Sequence, residues 1–249
     1  MDLAQAARAL GVHYQTAYRW VRSGRLAAVK VGGTYRVADD DVERLAEELA
    51  ATSAPPQQVA VRRWEQLHER VTTDLLAGDE PAVRSQVDRL SAGGVDPVRI
   101  MEELLAPAMR CIGDMWAAGT TSVAEEHRAT AICERAVARL SVHPRGRPRG
   151  VCVAATPPGE RHALPSAMAA VALRNDRWQV HHLGADVPAA DLARLAAAVG
   201  TGLVVLSATM PGSVEAACAM DETLAPARVL VGRPGARLSE LVEMARLRR

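Results

Sequence analysis

The chain has 249 residues, enough for one to three domains, and its formal net charge of +1 excludes a global field for nucleic acids or membranes. Hydrophobic residues make up 49% of the chain and Phe is absent, so its cores must be built from Ala, Val and Leu. Four scattered cysteines exclude a disulfide framework and a zinc site, and no apolar run is long enough to span a membrane. We expect reduced, mostly buried thiols, no signal peptide and a cytoplasmic protein.

Residues 1–51 predict a winged helix-turn-helix domain. Asp2 has the position of a helix N-cap, Gly24 that of a residue that ends a helix, and Gly32-Gly33 that of a two-residue hairpin loop. The predicted elements are a helix over 2–10, a turn over 11–13, a helix over 14–23, a hairpin over 26–37 and a third helix from 39 to about 50.

Basic residues are concentrated in this domain: residues 1–38 contain six basic side chains against Asp2 alone. The second helix and the wing carry the side chains that we expect to contact bases or phosphates, namely Tyr14, Gln15, Thr16, Arg19, Arg22, Lys30, Tyr35 and Arg36. A helical scaffold with a solvated basic face is the alternative. The pattern from Arg19-Trp20 to Gly24 and Leu26, followed by a Gly-Gly wing, resembles the MerR and excisionase group. That resemblance implies binding to double-stranded operator DNA.

A polar, Pro-containing linker over 52–58 precedes a predicted four-helix bundle over 59–143. Apolar residues recur at helical spacing, as at Ile100, Leu104 and Ile112, and glycines mark the breaks. The predicted helices cover about 59–77, 80–92, 96–118 and 121–141.

One group in the bundle is not explained by packing. Trp116 ends the third helix, and Val123, Glu126 and His127 share a face of the fourth at i, i+3 and i+4. A Glu-His pair on an inward stripe is unusual for an apolar core. The alternative is a core Trp116 and a solvated Glu126-His127 pair.

Residues 149–249 predict a Rossmann-like domain with a short parallel sheet of four strands. His162 follows a buried strand over 151–156 and precedes an Ala-rich helix over 164–173, so it lies at the carboxyl edge of the sheet, where ligands bind. With Glu160 two residues earlier, it has the parts of a metal ligand and a supporting carboxylate; the alternative is a surface histidine. A last strand over 228–231 and a helix over 237–248 leave a sheet edge that this helix or a partner would cover.

The remaining histidines carry less information. His13, His68, His143 and His181 have no carboxylate or cysteine at ligand spacing, and we expect them to be solvated or capping. His182 stays open because it is next to the end of a strand that faces the ligand edge.

The segment 156–165 (TPPGERHALP), followed by 180–188 (VHHLGADVP), 206–209 (LSAT) and Val231-Gly232, resembles the cobalamin-binding domain. The resemblance implies that His162 is the lower axial ligand of cobalt, oriented by Glu160. It also implies cofactor contacts from Gly184, Asp186, Val187, Ser207, Thr209 and Gly232. The chain departs from the family pattern at Pro165, Thr209 and Arg233, where Gly, Leu and Gly are usual, and these departures predict a narrower pocket for the nucleotide tail.

The spacing of Trp116, Val123 and the Glu126-His127 pair resembles the CarH-type family, the adenosylcobalamin-dependent, light-responsive repressors. In that family the Trp covers the adenosyl group, and the other three shape the pocket above cobalt. The family's cobalt-capturing His after this Trp is Ala117 here, which has no ligating atom. The fifth strand and helix expected of such a domain are also missing.

The sequence therefore predicts a DNA-binding transcriptional regulator, a repressor, whose oligomerisation and operator affinity depend on bound adenosylcobalamin and respond to light. We expect a homo-oligomer, a dimer or tetramer, and no enzyme, because the sequence offers no nucleophile–base pair, P-loop or paired carboxylates. One alternative is a corrinoid-carrier subunit of a methyltransferase or mutase. The other is a MerR-like regulator that has lost cobalamin binding.

Overall fold

The computed structural model describes residues 1–10, 12, 14–53, 64–142 and 144–247, with the backbone alone for 47–53. The chain forms two compact units, Met1–Gln58 and Val59–Arg249. Several predicted features lie outside the described residues: the turn residues 11 and 13, residues 54–58 of the linker, residues 59–63 of the first bundle helix, His143 and Arg248.

The first unit has the predicted winged helix-turn-helix elements: α1 (Leu3–Ala9), α2 (Tyr14–Arg22), β1 (Val29–Val31), β2 (Thr34–Arg36) and α3 (Asp39–Ser53). Asp2 and Gln5 form a reciprocal capping box, each side chain accepting the other's backbone N–H at 2.8 Å. Both hairpin glycines have positive φ, as the tight turn between β1 and β2 requires. The first strand begins later than predicted because Leu26 is buried in the core and its N–H bonds to the carbonyl of Trp20 in α2. The third helix continues to Ser53, into the predicted linker.

The second unit begins with the helices of the bundle: α4 (Trp64–Ala77), α5 (Glu80–Ala92), α6 (Pro97–Ile100), a π-helical segment (Met101–Leu105), α7 (Ala106–Ala117) and α8 (Val123–Arg139). The single helix predicted over 96–118 is thus continuous but locally widened. A π-helical segment adds one residue to a turn, and such segments occur where a side chain has to be redirected.

The rest of this unit is a parallel sheet with helices on both faces: β3 (Val151–Ala155), α9 (Ala163–Asn175), β4 (Gln179–Gly184), α10 (Ala189–Ala198), β5 (Leu203–Ser207), α11 (Pro211–Ala219), β6 (Arg228–Gly232) and α12 (Leu238–Arg246). The strand order is β4-β3-β5-β6, which confirms the four-stranded parallel sheet. The helices α10 and α11 pack on one face, and α9 and α12 on the other. The final helix packs through Leu241 and Ala245 on this face, and Arg228 of the edge strand β6 donates to the carbonyls of Met244 and Leu247 at its end. That the final helix or a partner covers part of the sheet edge stays a prediction.

The bundle and the sheet share one core. Leu164, Met168 and Val171 of α9 belong to the same buried cluster as the inner residues of the bundle helices. At the carboxyl ends of α8 and α9, the Asn175 side chain donates to the carbonyl of Leu140 at 3.1 Å and accepts from the N–H of Val142 at 2.8 Å. The two helices therefore end side by side.

The π-helical segment links the bundle to α12. Its Glu102 side chain is 10% exposed and accepts from the N–H and hydroxyl of Ser239, at 2.7 and 2.9 Å, and from the guanidinium of Arg237 at 2.7 Å. It thus caps the amino end of α12 with a negative charge, which the helix dipole favours.

We expect Glu102→Ala to lower the free energy of unfolding by about 1–3 kcal/mol, because it leaves the Ser239 N–H without its acceptor. Urea unfolding measures this loss. Glu103→Ala is the matched control, since Glu103 is 36% exposed and meets Arg237 only at 3.3 Å. An equal loss in both variants would contradict a capping role.

Two further features bear on the predictions from composition. No helix in the described part of the chain is both long and apolar enough to cross a membrane. Of the four cysteines, Cys133 and Cys152 are buried, and burial raises the pKa of each thiol to about 12, so both stay protonated. Cys111 and Cys218 are exposed, contrary to the expectation of mostly buried thiols.

Candidate functional site

The predicted DNA-contacting residues lie on the surface of the first unit. Six of them are exposed and two, Thr16 and Tyr35, are half-buried. Tyr18 was not among the residues predicted to contact DNA. It is 40% exposed and packs edge-on against Tyr35, with ring centroids 5.9 Å apart. The ammonium of Lys30 lies 6.0 Å from the Tyr35 ring. This cluster joins the second helix to the wing, and the period-4 repeat of Tyr14 and Tyr18 was the signal for it.

In the second unit, the loop after β3 places Glu160 and His162 in direct contact. The Glu160 side chain is fully buried, whereas that of His162 is 61% exposed and belongs to the residue that precedes α9. Oε1 of Glu160 accepts from the backbone N–H of His162 at 3.0 Å and lies 2.5 Å from its Nδ1. The second carboxylate oxygen, Oε2, accepts the N–H and hydroxyl of Thr209, at 2.7 and 2.8 Å, and the N–H of Met210 at 3.1 Å.

These contacts determine the protonation of the pair. Burial acts to raise the pKa of the Glu160 carboxyl, but hydrogen bonds from Thr209 and His162, through backbone and side chains, outweigh it and hold the pKa at about 2. The carboxylate is therefore ionised at neutral pH and can only accept, so Nδ1 of His162 carries the hydrogen. In the neutral form of this imidazole the lone pair is then on Nε2, which is the arrangement of a metal-ligating histidine.

The loop after β4 supports the loop that carries His162. The carboxylate of Asp186 accepts the N–H of Gly159 at 2.7 Å, and its own N–H donates to the carbonyl of Glu160 at 2.9 Å and to the Thr156 hydroxyl at 2.8 Å. Gly184 and Asp186 both have positive φ. Val187 packs into the core on the α10 and α11 face. Of these three predicted cofactor residues, Asp186 thus supports the loop of His162 by hydrogen bonds, and the cofactor contacts of all three stay a prediction.

Thr209 takes part in the same network, and its hydroxyl also lies 3.0 Å from Nδ1 of His162. A leucine, usual at this position in the cobalamin-binding family, would keep the N–H bond to Glu160 but could not supply the hydroxyl. We expect Thr209→Val to lower the free energy of unfolding by about 1.5–3 kcal/mol, because a hydrogen bond to a buried charge is lost. Thr209→Ser should restore most of it. Urea unfolding of both variants checks this, and equal losses would contradict the role of the hydroxyl.

Ser207 and Gly232 pair in register at the carboxyl ends of β5 and β6, on the sheet face that α9 and α12 cover. A Cβ added to Gly232 would lie 3.8 Å from Oγ of Ser207, in ordinary van der Waals contact, and Ser207 itself is buried. Arg233 reaches Sγ of Cys218 at 3.4 Å, on α11 and hence towards the opposite face. Arg233 therefore does not fill the space beside Gly232.

The group at the amino end of α8 does not face the bundle core. Trp116 is 51% and Val123 53% exposed, His127 is exposed and Glu126 is half-buried. Oε1 of Glu126 accepts the hydroxyl of Thr130 at 2.8 Å. Nδ1 of His127 lies 2.9 Å from the carbonyl of Val123. An exposed tryptophan beside an exposed valine forms an apolar surface of the kind that binding sites use.

Comparisons with known proteins agree with both units. Residues 1–50 match the helix-turn-helix domain family, and residues 67–141, which contain the group around Trp116, match the B12 binding domain family. The HTH-type transcriptional repressor CarH of Myxococcus xanthus is 33% identical over 175 residues, which cover 70% of this chain and 57% of the relative.

The chain belongs to the CarH-type regulators. It spans little more than half the length of that relative. Among solved structures, the monomethylamine corrinoid protein of Methanosarcina barkeri has a TM-score of 0.58 and 17% identity, covering 73% of this chain and 97% of its own. That likeness shows that the bundle and sheet of this CarH-type chain have the fold of a corrinoid protein. Glu160 and His162 lie outside the residues that match the B12 binding family, so their role stays a prediction.

Proposed function

We propose that the chain is a DNA-binding transcriptional repressor whose oligomerisation and operator affinity are controlled by bound adenosylcobalamin. The observation that carries this proposal is the Glu160–His162 pair, an exposed imidazole held at 2.5 Å by a buried carboxylate at the carboxyl edge of a parallel sheet. The relation to the repressor CarH and the helix-turn-helix head support the regulatory part.

The residues present fit a corrinoid. His162 offers Nε2 with a free lone pair, the donor that cobalt takes from histidine. Ser207 and Gly232 carry little or no side chain at the carboxyl ends of β5 and β6, so a buried tail would meet small residues there. Pro165 does not disturb the loop, since it lies in the first turn of α9, where proline is tolerated.

In this proposal His162 would ligate the cobalt through Nε2, and Glu160 would orient the imidazole. Trp116, Val123, Glu126 and His127 would line the site from the bundle, where the Trp116 indole would shield the bound group by apolar contact. When bound, the corrinoid supplies a cobalt ion whose bond to the upper carbon ligand light can break. Contacts from both the bundle and the sheet would further stabilise their packing when the cofactor is bound.

The head supplies DNA binding in this proposal. Its exposed basic and aromatic residues suit phosphates and base edges, and the supporting cluster of Tyr18 and Tyr35 keeps the wing beside the second helix. An oligomer would present several heads to adjacent half-sites and raise operator affinity through effective concentration. Loss of the upper ligand would release the oligomer and lower that affinity.

Gel filtration of the full chain in the dark, with and without adenosylcobalamin, tests this proposal. We expect the corrinoid absorbance to co-elute with the wild-type chain, a larger species when it is bound, and tighter binding to an operator selected from random duplexes. His162→Ala should lower corrinoid affinity by more than the roughly 10- to 100-fold caused by losing a supporting group. His181→Ala is the control. The proposal fails if the wild type takes up no corrinoid, or if His162→Ala binds like the wild type.

A corrinoid-carrier subunit is the second candidate, since the bundle and sheet have the fold of such a protein. The basic head argues against it, because a carrier has no need to bind phosphates. A regulator that has lost its cofactor is the third. Absorbance after incubation with adenosylcobalamin, before and after green light, separates the three: no uptake indicates the last, and uptake without a change in DNA affinity indicates a carrier.

A further inference from the structure

The amino edge of the parallel sheet, opposite the edge that carries His162, is rich in arginine. The segment 144–150 (PRGRPRG) leads into β3, and its three arginines alternate with Pro and Gly. The turn that leads from α9 into β4 carries Arg177. Because β3 and β4 pair in parallel from their first residues, the two segments lie side by side.

Contacts between these segments bring the arginines together. The N–H of Arg149 donates to the carbonyl of Arg177 at 2.9 Å, and a Cβ added to Gly146 would lie 3.7 Å from Nη1 of Arg177. The carboxylate of Asp176, 8% exposed, pairs with Nε of Arg149 at 3.0 Å and with Nη2 of Arg246, at the end of α12, at 2.7 Å. Five residues thus form one surface, the amino-edge arginine patch: Arg145, Arg147, Arg149, Arg177 and Arg246.

Three of the five arginines have no counter-charge in the fold. Arg145, Arg147 and Arg177 are exposed and form no ion pair within the described part of the chain. The carboxylates of Asp176 and Glu243 act on the other two arginines. The patch therefore carries an excess of positive charge, and a surface with unbalanced charge of one sign attracts a partner of the opposite sign.

Arg177 occupies a position at which glycine is the common residue. Its N–H donates to the carbonyl of Arg174 at 2.9 Å, and the N–H of Trp178 donates to that of Leu173 at 3.0 Å. These are the two bonds of a Schellman motif, which ends a helix with a left-handed residue. The φ of Arg177 is 68°, a conformation that is strained for a bulky side chain. Glycine would relieve this strain, so folding gives no reason for an arginine here.

The phosphate backbone of duplex DNA is the partner that fits this patch. Each exposed guanidinium can donate two parallel N–H bonds to one phosphate. The head of the same chain belongs to the helix-turn-helix family. Once a head is bound, the phosphates of that duplex are at high effective concentration for any other cationic surface of the chain. An acidic peptide has the same sign of charge but gains nothing from the bound head.

We propose that the amino-edge arginine patch is a second DNA-binding surface, which contacts phosphates outside the base pairs that the head reads. This inference rests on the DNA binding of the proposed function and adds a surface in the second unit. Contacts to phosphates carry no sequence information, so the patch raises affinity without altering the preferred sequence.

The test uses the full chain and two duplexes that contain the selected operator. One is trimmed to the base pairs that the selection specifies, and the other is extended on both sides. We expect the triple variant Arg145→Gln, Arg147→Gln, Arg177→Gln to bind the extended duplex roughly tenfold more weakly, with a slope of log affinity against log salt that is smaller by about three. On the trimmed duplex the variant and the wild type should bind alike.

The single variant Arg177→Gly separates binding from folding. It should lower the salt slope on the extended duplex by about one. Its free energy of unfolding in urea should equal or exceed that of the wild type, because glycine adopts this φ without strain. A purely structural arginine would give the reverse, an unchanged slope and a less stable protein.

The matched control is the triple variant Arg84→Gln, Arg89→Gln, Arg110→Gln, which removes the same charge from exposed positions on α5 and α7. It should behave like the wild type on both duplexes. An equal loss in both triple variants, or an equal loss on both duplexes, would overturn the proposal. An unchanged slope in the patch variant would overturn it too, in favour of an acidic protein partner. A wild type that binds neither duplex would instead refute the DNA binding of the proposed function.

Discussion

Glu160→Gln should lower the free energy of unfolding at pH 7 by about 2–4 kcal/mol, the largest loss that we expect from one isosteric change in this chain. The buried carboxylate accepts from the backbone N–H groups of His162, Thr209 and Met210. A glutamine has only one acceptor oxygen. Its NH₂ group would face N–H groups that also donate, and these would lose their acceptor. Urea unfolding measures the difference, and corrinoid affinity should fall in parallel, by roughly 10- to 100-fold, because the imidazole loses its orientation.

The pH dependence of this difference gives a second check. The folded-state pKa of Glu160 is lowered from 4.5 to about 2, so its contribution to stability is present above pH 4.5 and is lost as the pH falls towards 2. The gap between wild type and variant should therefore be widest above pH 4.5 and close towards pH 2. Glu215→Gln, at an exposed position on α11, is the matched control. A gap that does not change with pH would contradict an ionised Glu160.

The double variant Arg19→Gln, Arg22→Gln should lower affinity for a selected duplex by roughly tenfold or more, because both cations lie exposed at the end of α2. If each neutralises one phosphate, the slope of log affinity against log salt should fall by about two. Fluorescence anisotropy across a salt series measures both quantities.

The control for this experiment is Arg84→Gln together with Arg89→Gln. Both residues are exposed on α5 of the second unit, and the two substitutions remove the same positive charge from the chain as those on α2. A loss that depends only on net charge would appear in both double variants. An unchanged slope in the Arg19, Arg22 variant would remove α2 from the DNA interface.

Local chemistry explains which elements the sequence predicted well. The bounds of α5 were predicted without error because Asp79 caps its first turn and Gly93 follows its last residue. The capping box of Asp2 and the positive φ of the hairpin glycines follow equally from residues close in sequence. The four parallel strands were predictable because each is a short apolar run between turn residues.

The features that were missed depend on contacts between distant residues. Glu102 of the π-helical segment bonds to Arg237 and Ser239, more than 130 residues later. The packing of Leu241 and Ala245 of α12 against the sheet face depends on the residues that this face presents, which come from separate strands. Tyr18 became part of the candidate DNA surface only because folding of the hairpin brings Tyr35 beside it.

The sequence by itself determined the fold class, the position of His162 after a strand, and its carboxylate two residues before it, since each depends on periodicity or local spacing. Only the tertiary structure decided that Glu160 is buried and ionised, because its second oxygen is satisfied by Thr209 and Met210 from the loop after another strand. It also decided that α8 and α9 end side by side, since that depends on the contacts of Asn175 with Leu140 and Val142. The spacing of residues in the sequence predicts which side chains could bind a ligand. Packing determines which atoms of those side chains are already engaged in hydrogen bonds.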